Sequence, residues 1–568
     1  MEQVDSASPY PTRTHTCGGL DLVDVDKEVV LMGWLVSKGK LGKKLSFYGL
    51  RDSHGTAQLI MDARVLGEDN LAAVRAISPE STVLVRGLVV ARPESQRRSE
   101  RSGSVEVSVK SFILLNPAGE LPFSPHDPEN LANEDLRLRY RYLDLRRAEL
   151  TANLKKRSEV AYLIKDELRQ AGFGEVETPM LLNSTPEGAR EYLVPTRVKQ
   201  SPGAPAGPQF YALSQSPQQP KQLLVVSGAV DRYYQFARCF RDEDGRKDRQ
   251  PEFTQVDLEM AWVNWGHATR RPVRDVVERV IRRVWHEIEG VDLPERFRVM
   301  TYDEAMRKYG SDKPDLRFGL EIIDLTCAVP SPLREELVAN GEVIEALAVN
   351  AHDDHRPFLA VADDVEVPPE VKRYDDPGSE WKQIYNLVNG CALEPGKSVV
   401  WTARRPKKPD FPLFTRADAD KDFLAHGRWS ATHHPFTAPM AEDVALLRAG
   451  DVAAVRGQHY DLVLNGVEVG GGSVRIHDAA LQTHVMRDVL QLTEEELVRF
   501  GHLLHALTCG APPHGFDRLM AMLCNSASIR DVIAFPKTAA GTDLLFKSPS
   551  PSTADVLAQY GLSPKGSS

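Results

Sequence analysis

Residues 460–477, YDLVLNGVEVGGGSVRIH, leave the chain little choice of local structure. Asn465-Gly466 is the strongest short hairpin signal, because a type I′ turn needs positive φ at both central residues. Around such a turn Leu464 pairs with Val467, Val463 with Glu468, and Asp461 with Gly470. Side chains alternate faces along a strand, so Asp461, Val463 and Glu468 share one face. Asp461 and Glu468 then become diagonal neighbours, roughly 7 Å apart. Two carboxylates that close repel, raise a pKa, or hold a cation. Gly470, Gly471 and Gly472 follow and leave open space over the sheet, and Arg475 comes next. The alternative reading is a solvent-facing hairpin with scattered charge.

The rest of the chain bounds what this hairpin belongs to. With 568 residues it has room for roughly three to four domains. A 42% hydrophobic and 26% charged composition suits a soluble globular enzyme. No apolar run approaches the roughly 18 residues a membrane helix needs. The six cysteines form no CxxC pair, so neither a zinc site nor a disulfide framework is indicated. A formal charge of -10 argues against a general polyanion binder, so nucleic acid would meet local basic patches. The N-terminal stretch carries Glu2, Asp5 and Arg13 and reads as neither a signal peptide nor a clear mitochondrial presequence.

Residues 28–115 read as five short strands separated by turn residues, the pattern of a small OB-type barrel. Such barrels often hold single-stranded nucleic acid by aromatic stacking beside basic loops. Phe47 is placed to stack a base and Gln58 to hydrogen-bond one, with Lys38, Lys40, Lys43 and Lys44 nearby. A structural barrel with a core Phe is the alternative. Residues 116–135, rich in Pro, Asn and acid, read as a hinge. Residues 154–172 have helical apolar spacing and run into an edge strand near Pro179, which cannot donate to a ladder. Residues 232–260 form a strand, a charged loop and a second strand. Arg241 and Glu243 share a face, as do Gln255, Asp257 and Glu259. This is either a structural ion-pair cluster or a phosphate clamp beside an ammonium site. Residues 300–415 differ in character and read as an inserted domain. The loop ATHHPFTAP brings His433 and His434 together, and Thr493 to Glu496 is a capping box opening a helix that ends at Gly510.

These residues resemble the class II aminoacyl-tRNA synthetases, closely the bacterial and mitochondrial aspartyl type. The segments TPEGAREYLVP, ALSQSPQQPKQLL, CFRDEDGRKDRQPEFTQVDLEM, YGSDKPDLRFG, HHPFTAP, YDLVLNGVEVGGGSVRIH and SIRDVIAFPK occur in the family's order. The resemblance implies a multidomain α+β enzyme. An OB-fold anticodon-binding domain would span residues 1–115. A class II antiparallel sheet flanked by helices would occupy 136–299 and 416–550. An inserted GAD-like α+β domain would fill 300–415, and 551–568 would be a tail. The implied substrates are ATP, L-aspartate and tRNA-Asp, with Mg²⁺ as cofactor, no membrane partner, and a homodimer as the assembly. The mitochondrial matrix is the implied compartment, with the cytoplasm as alternative.

Roles carry over residue by residue. Arg241, Arg518 and Glu468 are the implied catalytic groups. ATP would be held by Arg241, Glu243, Gln250, Glu468, Gly515, Phe516, Asp517 and Arg518, and Mg²⁺ by Asp461 and Glu468. Aspartate would be held by Glu187, Ser216, Gln218, Lys221, Asp257, His433 and Arg475, with His434 a neighbouring candidate. Lys221 and Arg475 would bind its side-chain carboxylate and Asp257 its ammonium. Phe47, Gln58 and Glu106 match anticodon-contacting positions. A synthetase that also charges tRNA-Asn, or a tRNA-binding paralogue with impaired catalysis, are the other readings. The chain departs from the family in three places. GAPPHGFDRL is about five residues short, an odd number that would flip the facing of a regular strand. Pro220 stands between Gln218 and Lys221 and would shift their backbone. SKGKLGKK replaces an arginine-rich turn of the barrel. Strict alternation from Glu468 would turn Arg475 away from the pocket, so a bulge is expected within residues 470–473.

Overall fold

The computed structural model describes residues 2–3, 10–41, 44–126, 131–184, 190–196, 209–243, 249–263, 272–324, 343–350, 397–404, 412–416 and 428–520, with a few short stretches elsewhere. In strand residues 37–41, 397–404 and 515–520 it describes the backbone alone. The chain divides into two compact units: Met1–Lys155 with Ser526–Ser550, and Lys156–Asn525 with Pro551–Ser568.

In the first unit five strands close on themselves. They are β1 (Glu28–Leu41), β2 (Leu45–Asp52), β3 (Gly55–Asp62), β4 (Thr82–Ala91) and β5 (Val105–Asn116). β1 pairs with β2 and β4, β2 with β3, and β5 with both β4 and, in parallel, β3. Closure removes the open edges that would otherwise template aggregation. The alternating residues Val29, Leu31, Val83, Val85, Val105, Val107 and Val109 point inward and are buried. This is the five-strand OB barrel that the short runs of β-branched residues predict.

The second unit is built on a sheet ordered β9-β10-β11-β8-β7-β6. Its strands are β6 (Gly174–Glu175), β7 (Arg232–Phe240), β8 (Glu252–Ala261), β9 (His459–Leu464), β10 (Val467–Val474) and β11 (His514–Met520). All neighbours are antiparallel except the two-residue edge strand β6 against β7. The predicted edge strand at Pro179 is thus shorter and earlier than expected. Beyond Val176, whose N–H donates to Tyr234, no ladder continues along 177–180. Helix α1 (Ala148–Gln170) and helix α3 (Pro272–Glu289) cover one face. Val160, Leu163, Ile164 and Leu168 of α1 meet Val276, Val280 and Val284 of α3 and Val256, Leu258 and Met260 of β8 in one apolar cluster. The opposite face carries α2 (Gln218–Val226), and α4 (Glu494–Thr508) opens with the predicted Thr493–Glu496 capping box. In the expected insertion, a helix at Tyr302–Tyr309 and a small antiparallel sheet are described, and most of 325–411 lies outside the described residues.

Candidate active site

The Asn-Gly turn forms as predicted, with Asn465 at φ 51° and Gly466 at φ 81°. Val463 pairs with Glu468 and Leu464 with Val467, but Leu462 pairs with Gly470, so Val469 is the extra residue of a bulge. Asp461 therefore faces Gly471, not Gly470. The bulge lies one residue ahead of the predicted stretch, and it makes the parity change that Arg475 requires. From Val469 onward Gly471, Ser473 and Arg475 share the face of Glu468. Alternation alone locates the need for a bulge but not the residue, because Val469 fits either face of a strand.

The bulge aligns one register row across five strands: Asp461, Gly471, Arg518, Asp257 and Gln235. Gly471 is its floor. A Cβ there would lie 3.1 Å from Asp461 Oδ1, 3.3 Å from Glu468 Oε1 and 3.4 Å from His433 Cε1. The two carboxylates thus converge over a glycine, a donor set of hard oxygens that suits Mg²⁺. His433 Nε2 lies 3.1 Å from Asp461 Oδ1, and Lys313 Nζ lies 3.3 Å from Asp461 Oδ2 and 3.5 Å from Glu468 Oε2. A cation therefore already stands between them. Burial alone would raise the Asp461 pKa, but His433 and Lys313 hold it below the usual carboxylate range. Behind them His459 is buried, and desolvation with His433 beside it lowers its pKa to about 3, so it is neutral.

A cavity of about 900 Å³ opens over this face, lined by Ser216, Gln218, Arg241, Glu243, His433 and Glu468 among others. Arg241 falls just past the end of β7, its backbone N–H bonded to Pro251 O and its guanidinium 5.2 Å from the Phe253 ring. Glu243 pairs with Arg249, and Gln250 is buried beside it. His434 lines the same cavity and stacks on Phe436. Gln218 is 2% exposed, and neither its amide oxygen nor its nitrogen makes a hydrogen bond. A buried amide in that state is costly unless a ligand completes it.

Lys221, Asp257, Glu259 and Arg475 lie off the cavity walls and form a fully buried quartet of two positive and two negative charges. Lys221 Nζ donates to Asp257 Oδ1 at 2.8 Å and sits 3.9 Å from Glu259, while Arg475 Nε is 3.8 Å from Glu259. Burial pushes the Lys221 pKa down against the pull of Asp257 and Glu259. Burial pushes Glu259 up against Arg475 and Lys221. Asp257 Oδ2 and both Glu259 oxygens make no hydrogen bond, so the quartet is paired in charge but not saturated in geometry. Lys221 reaches it from α2, where Pro220 stands in the first turn. There a missing N–H costs nothing, because first-turn donors have no intrahelical partner. The first turn closes around Pro220, with Lys221 N–H bonded to Pro217 O at 3.0 Å.

Gly515, Phe516, Asp517 and Arg518 lie on β11, with Arg518 at the register position between Gly471 and Asp257. Glu187 lies outside the described residues. In the barrel, Phe47 is half-buried on β2, and Gln58 on β3 pairs with Gly49, two residues on, so both occupy one face. Arg92 donates to Gln58 Oε1 at 3.0 Å and pairs with Glu106 at 3.2 Å. Glu106 and Arg92 are both buried, so the pair braces Gln58 from within the barrel wall. Lys44 is exposed, Lys38 and Lys40 are described in backbone only, and Lys43 lies outside the described residues. Sequence reasoning assigned no role to Lys313, His459 or Arg92, and it named Glu259 only as one carboxylate of a cluster. For Lys313 and Glu259 a signal existed, since one lies in the quoted GSDKPD segment and the other alternates with Asp257.

Comparison with known proteins identifies the family. Residues 133–539 match the family described as tRNA synthetases class II (D, K and N), and residues 29–115 match the OB-fold nucleic acid binding domain. The chain is 37% identical to the mitochondrial aspartate–tRNA ligase of Dictyostelium discoideum, covering 96% of this chain and 88% of that one. It is 39% identical to the aspartate–tRNA(Asp/Asn) ligase of Opitutus terrae over 95% of this chain and 97% of the other. With the aspartate–tRNA ligase of Geobacillus kaustophilus the figures are 40%, 95% and 96%. Among solved structures it resembles asparaginyl-tRNA synthetase from Pyrococcus horikoshii complexed with asparaginyl-adenylate. That match has a TM-score of 0.57 at 20% identity and covers 92% of this chain and 98% of the other, a likeness of fold. The chain belongs to the class II tRNA synthetases of the D, K and N family.

Proposed function

We propose that this chain is an aspartate–tRNA ligase. It joins L-aspartate to ATP as aspartyl-adenylate and then transfers the aspartyl group to the terminal adenosine of tRNA-Asp. The observation that carries the substrate is the buried quartet beside Gln218. Lys221 and Arg475 are two cations that no water screens. A ligand carboxylate reaching them replaces unsaturated internal pairing with charge-assisted hydrogen bonds. An amide at the same position offers Lys221 and Arg475 only a neutral acceptor and turns N–H donors toward them, which discriminates against asparagine.

In the first step an α-carboxylate oxygen of aspartate attacks the α-phosphorus, and the bond to pyrophosphate breaks. The work is positioning and charge neutralisation, not covalent catalysis. Arg241, at the cavity wall, is placed to hold the α-phosphate, with Glu243 and Gln250 beside it and the β11 residues Gly515 to Arg518 along the sheet. Asp257, sharing the row of Gly471, serves the substrate ammonium, and Ser216, Gln218 and His433 orient the amino acid, with Glu187 assigned by resemblance. Asp461 and Glu468 would hold Mg²⁺, which when bound neutralises phosphate charge. In the second step a ribose hydroxyl of the tRNA end attacks the acyl carbon and AMP leaves. In the barrel, Phe47 offers a half-buried ring for stacking and Gln58 hydrogen-bonds a base, with Arg92 and Glu106 setting the Gln58 side chain.

We read the assembly as a homodimer formed through helix α1 and the stretch after it near Pro179. Tyr162 of α1 is 67% exposed, and Met180 and Leu181 are exposed too, large apolar side chains that a partner subunit would cover. The mitochondrion is the compartment favoured by the Dictyostelium relative, while the other relatives named are bacterial. Charging of tRNA-Asp transcript with labelled aspartate tests the function, and no charged tRNA with intact protein would refute it. Relatives named aspartate–tRNA(Asp/Asn) ligases favour a second reading, in which tRNA-Asn is charged as well. The same assay with tRNA-Asn transcript decides between the two.

A further inference from the structure

We propose that Lys313 is the built-in counter-ion of the Asp461–Glu468 pair, an ammonium that stands in the cation position until a divalent ion displaces it. The inference rests on the reading that this pair takes a divalent cation. Lys313 Nζ is within 2.8 Å of Asp312, 3.3 Å of Asp461 and 3.5 Å of Glu468. An ammonium has three donors, and here three carboxylates meet it. Asp461 is 5% exposed in its side chain, so an ionised Asp461 in an empty site needs a counter-charge close by.

The backbone that carries the lysine is fixed. Helix Tyr302–Tyr309 ends on Gly310 in the left-handed conformation, with the Gly310 N–H bonded to Met306 O. The Lys313 N–H then donates to Ser311 Oγ at 3.1 Å. Asp315 packs against the hairpin tip, its Cβ 3.3 Å from where a Gly466 Cβ would be. The strap from Gly310 to Asp315 thus lies against the hairpin and extends one cation to its carboxylates. Glu468 lines the cavity and Lys313 does not, so an incoming ion meets the pair from the side opposite the strap.

Two consequences follow. Before a divalent ion binds, the ammonium offsets the repulsion between the two carboxylates. The lysine also competes with the metal, and it has Asp312 to retain it once displaced. A flexible ammonium can make this exchange, whereas a planar guanidinium would be held by bidentate geometry.

The probe is Mn²⁺ alone, titrated into the full chain without ATP and followed by the paramagnetic resonance signal of the free ion. Lys313→Met removes the competing charge and keeps the length of the side chain. Its Mn²⁺ affinity should rise by roughly tenfold or more over wild type. Its melting temperature in a chelator should fall, and Mn²⁺ should restore it by a larger shift than it gives wild type. Equal or weaker Mn²⁺ binding by Lys313→Met overturns the proposal. Lys313→Gln, polar and of similar length, gives the same comparison where the methionine variant folds poorly. The double variant Asp461→Asn/Glu468→Gln separates the two readings. Loss of Mn²⁺ binding there supports the metal pair itself, whereas wild-type Mn²⁺ affinity there, or no binding by any of these proteins, overturns the metal reading and this inference with it.

Discussion

Replacing Arg475 with methionine tests the buried quartet. The wild-type cluster balances Lys221 and Arg475 against Asp257 and Glu259, all fully buried. Arg475→Met leaves one ammonium against two carboxylates. At 3.8 Å the Arg475–Glu259 attraction is about 4 kcal/mol for an effective dielectric of about 20. Breaking a buried pair from one side costs about 3–5 kcal/mol, in agreement. The loss has a pH signature. Burial already raises Glu259, and without Arg475, the larger of its two opposing charges, it rises further. A carboxylate whose folded pKa lies above its unfolded value binds more protons folded than unfolded. Stability then falls as pH rises from the unfolded value through the folded one. The urea midpoint of Arg475→Met should therefore lie well below wild type at pH 8, and the gap should narrow toward pH 5. Aspartate binding should be lost at both. A deficit below about 1 kcal/mol that does not change with pH would refute the description of the quartet as a coupled, solvent-free charge cluster.

Other consequences are equally direct. Gly471→Ala places a methyl 3.1 Å from Asp461 Oδ1 and 3.3 Å from Glu468 Oε1, so adenylate formation should fall by up to about a hundredfold, read by pyrophosphate exchange. His459 and His514 are buried neutral, with pKa values lowered to about 3 and about 4, chiefly by desolvation. Each binds fewer protons folded than unfolded, so stability should drop by about 1.4 kcal/mol per histidine for each pH unit below about 6.5, and His459→Gln should flatten that slope. Phe47→Ala should weaken tRNA binding by about 1–3 kcal/mol, measured by filter binding and as a raised KM for tRNA.

Much of this architecture is legible in the sequence, for identifiable reasons. The five barrel strands are short alternating runs with turn residues between them, and alternation is the signal a half-buried sheet leaves. The hairpin turn is legible because Asn465 and Gly466 tolerate positive φ where other residues strain. The bulge at Val469 is not, because a β-branched residue carries no mark of being the unpaired one. The edge strand was misplaced because Pro179 states where a ladder cannot form, not where it ends. Lys221, Asp257 and Arg475 were assigned by resemblance, since no local pattern reveals that charges remote in sequence share one buried cluster. Lys313 was overlooked for a similar reason. Its role depends on a strap meeting a hairpin some 150 residues later in the chain, a contact set by tertiary packing. Glu106 was likewise assigned by resemblance, and it pairs at 3.2 Å with Arg92, the arginine that also donates to Gln58.

The central claim is that this site activates aspartate, and ATP–pyrophosphate exchange by purified protein tests it most directly. The account predicts exchange that depends on L-aspartate and is absent with L-asparagine. No exchange with either amino acid, from protein that still binds tRNA, would contradict it.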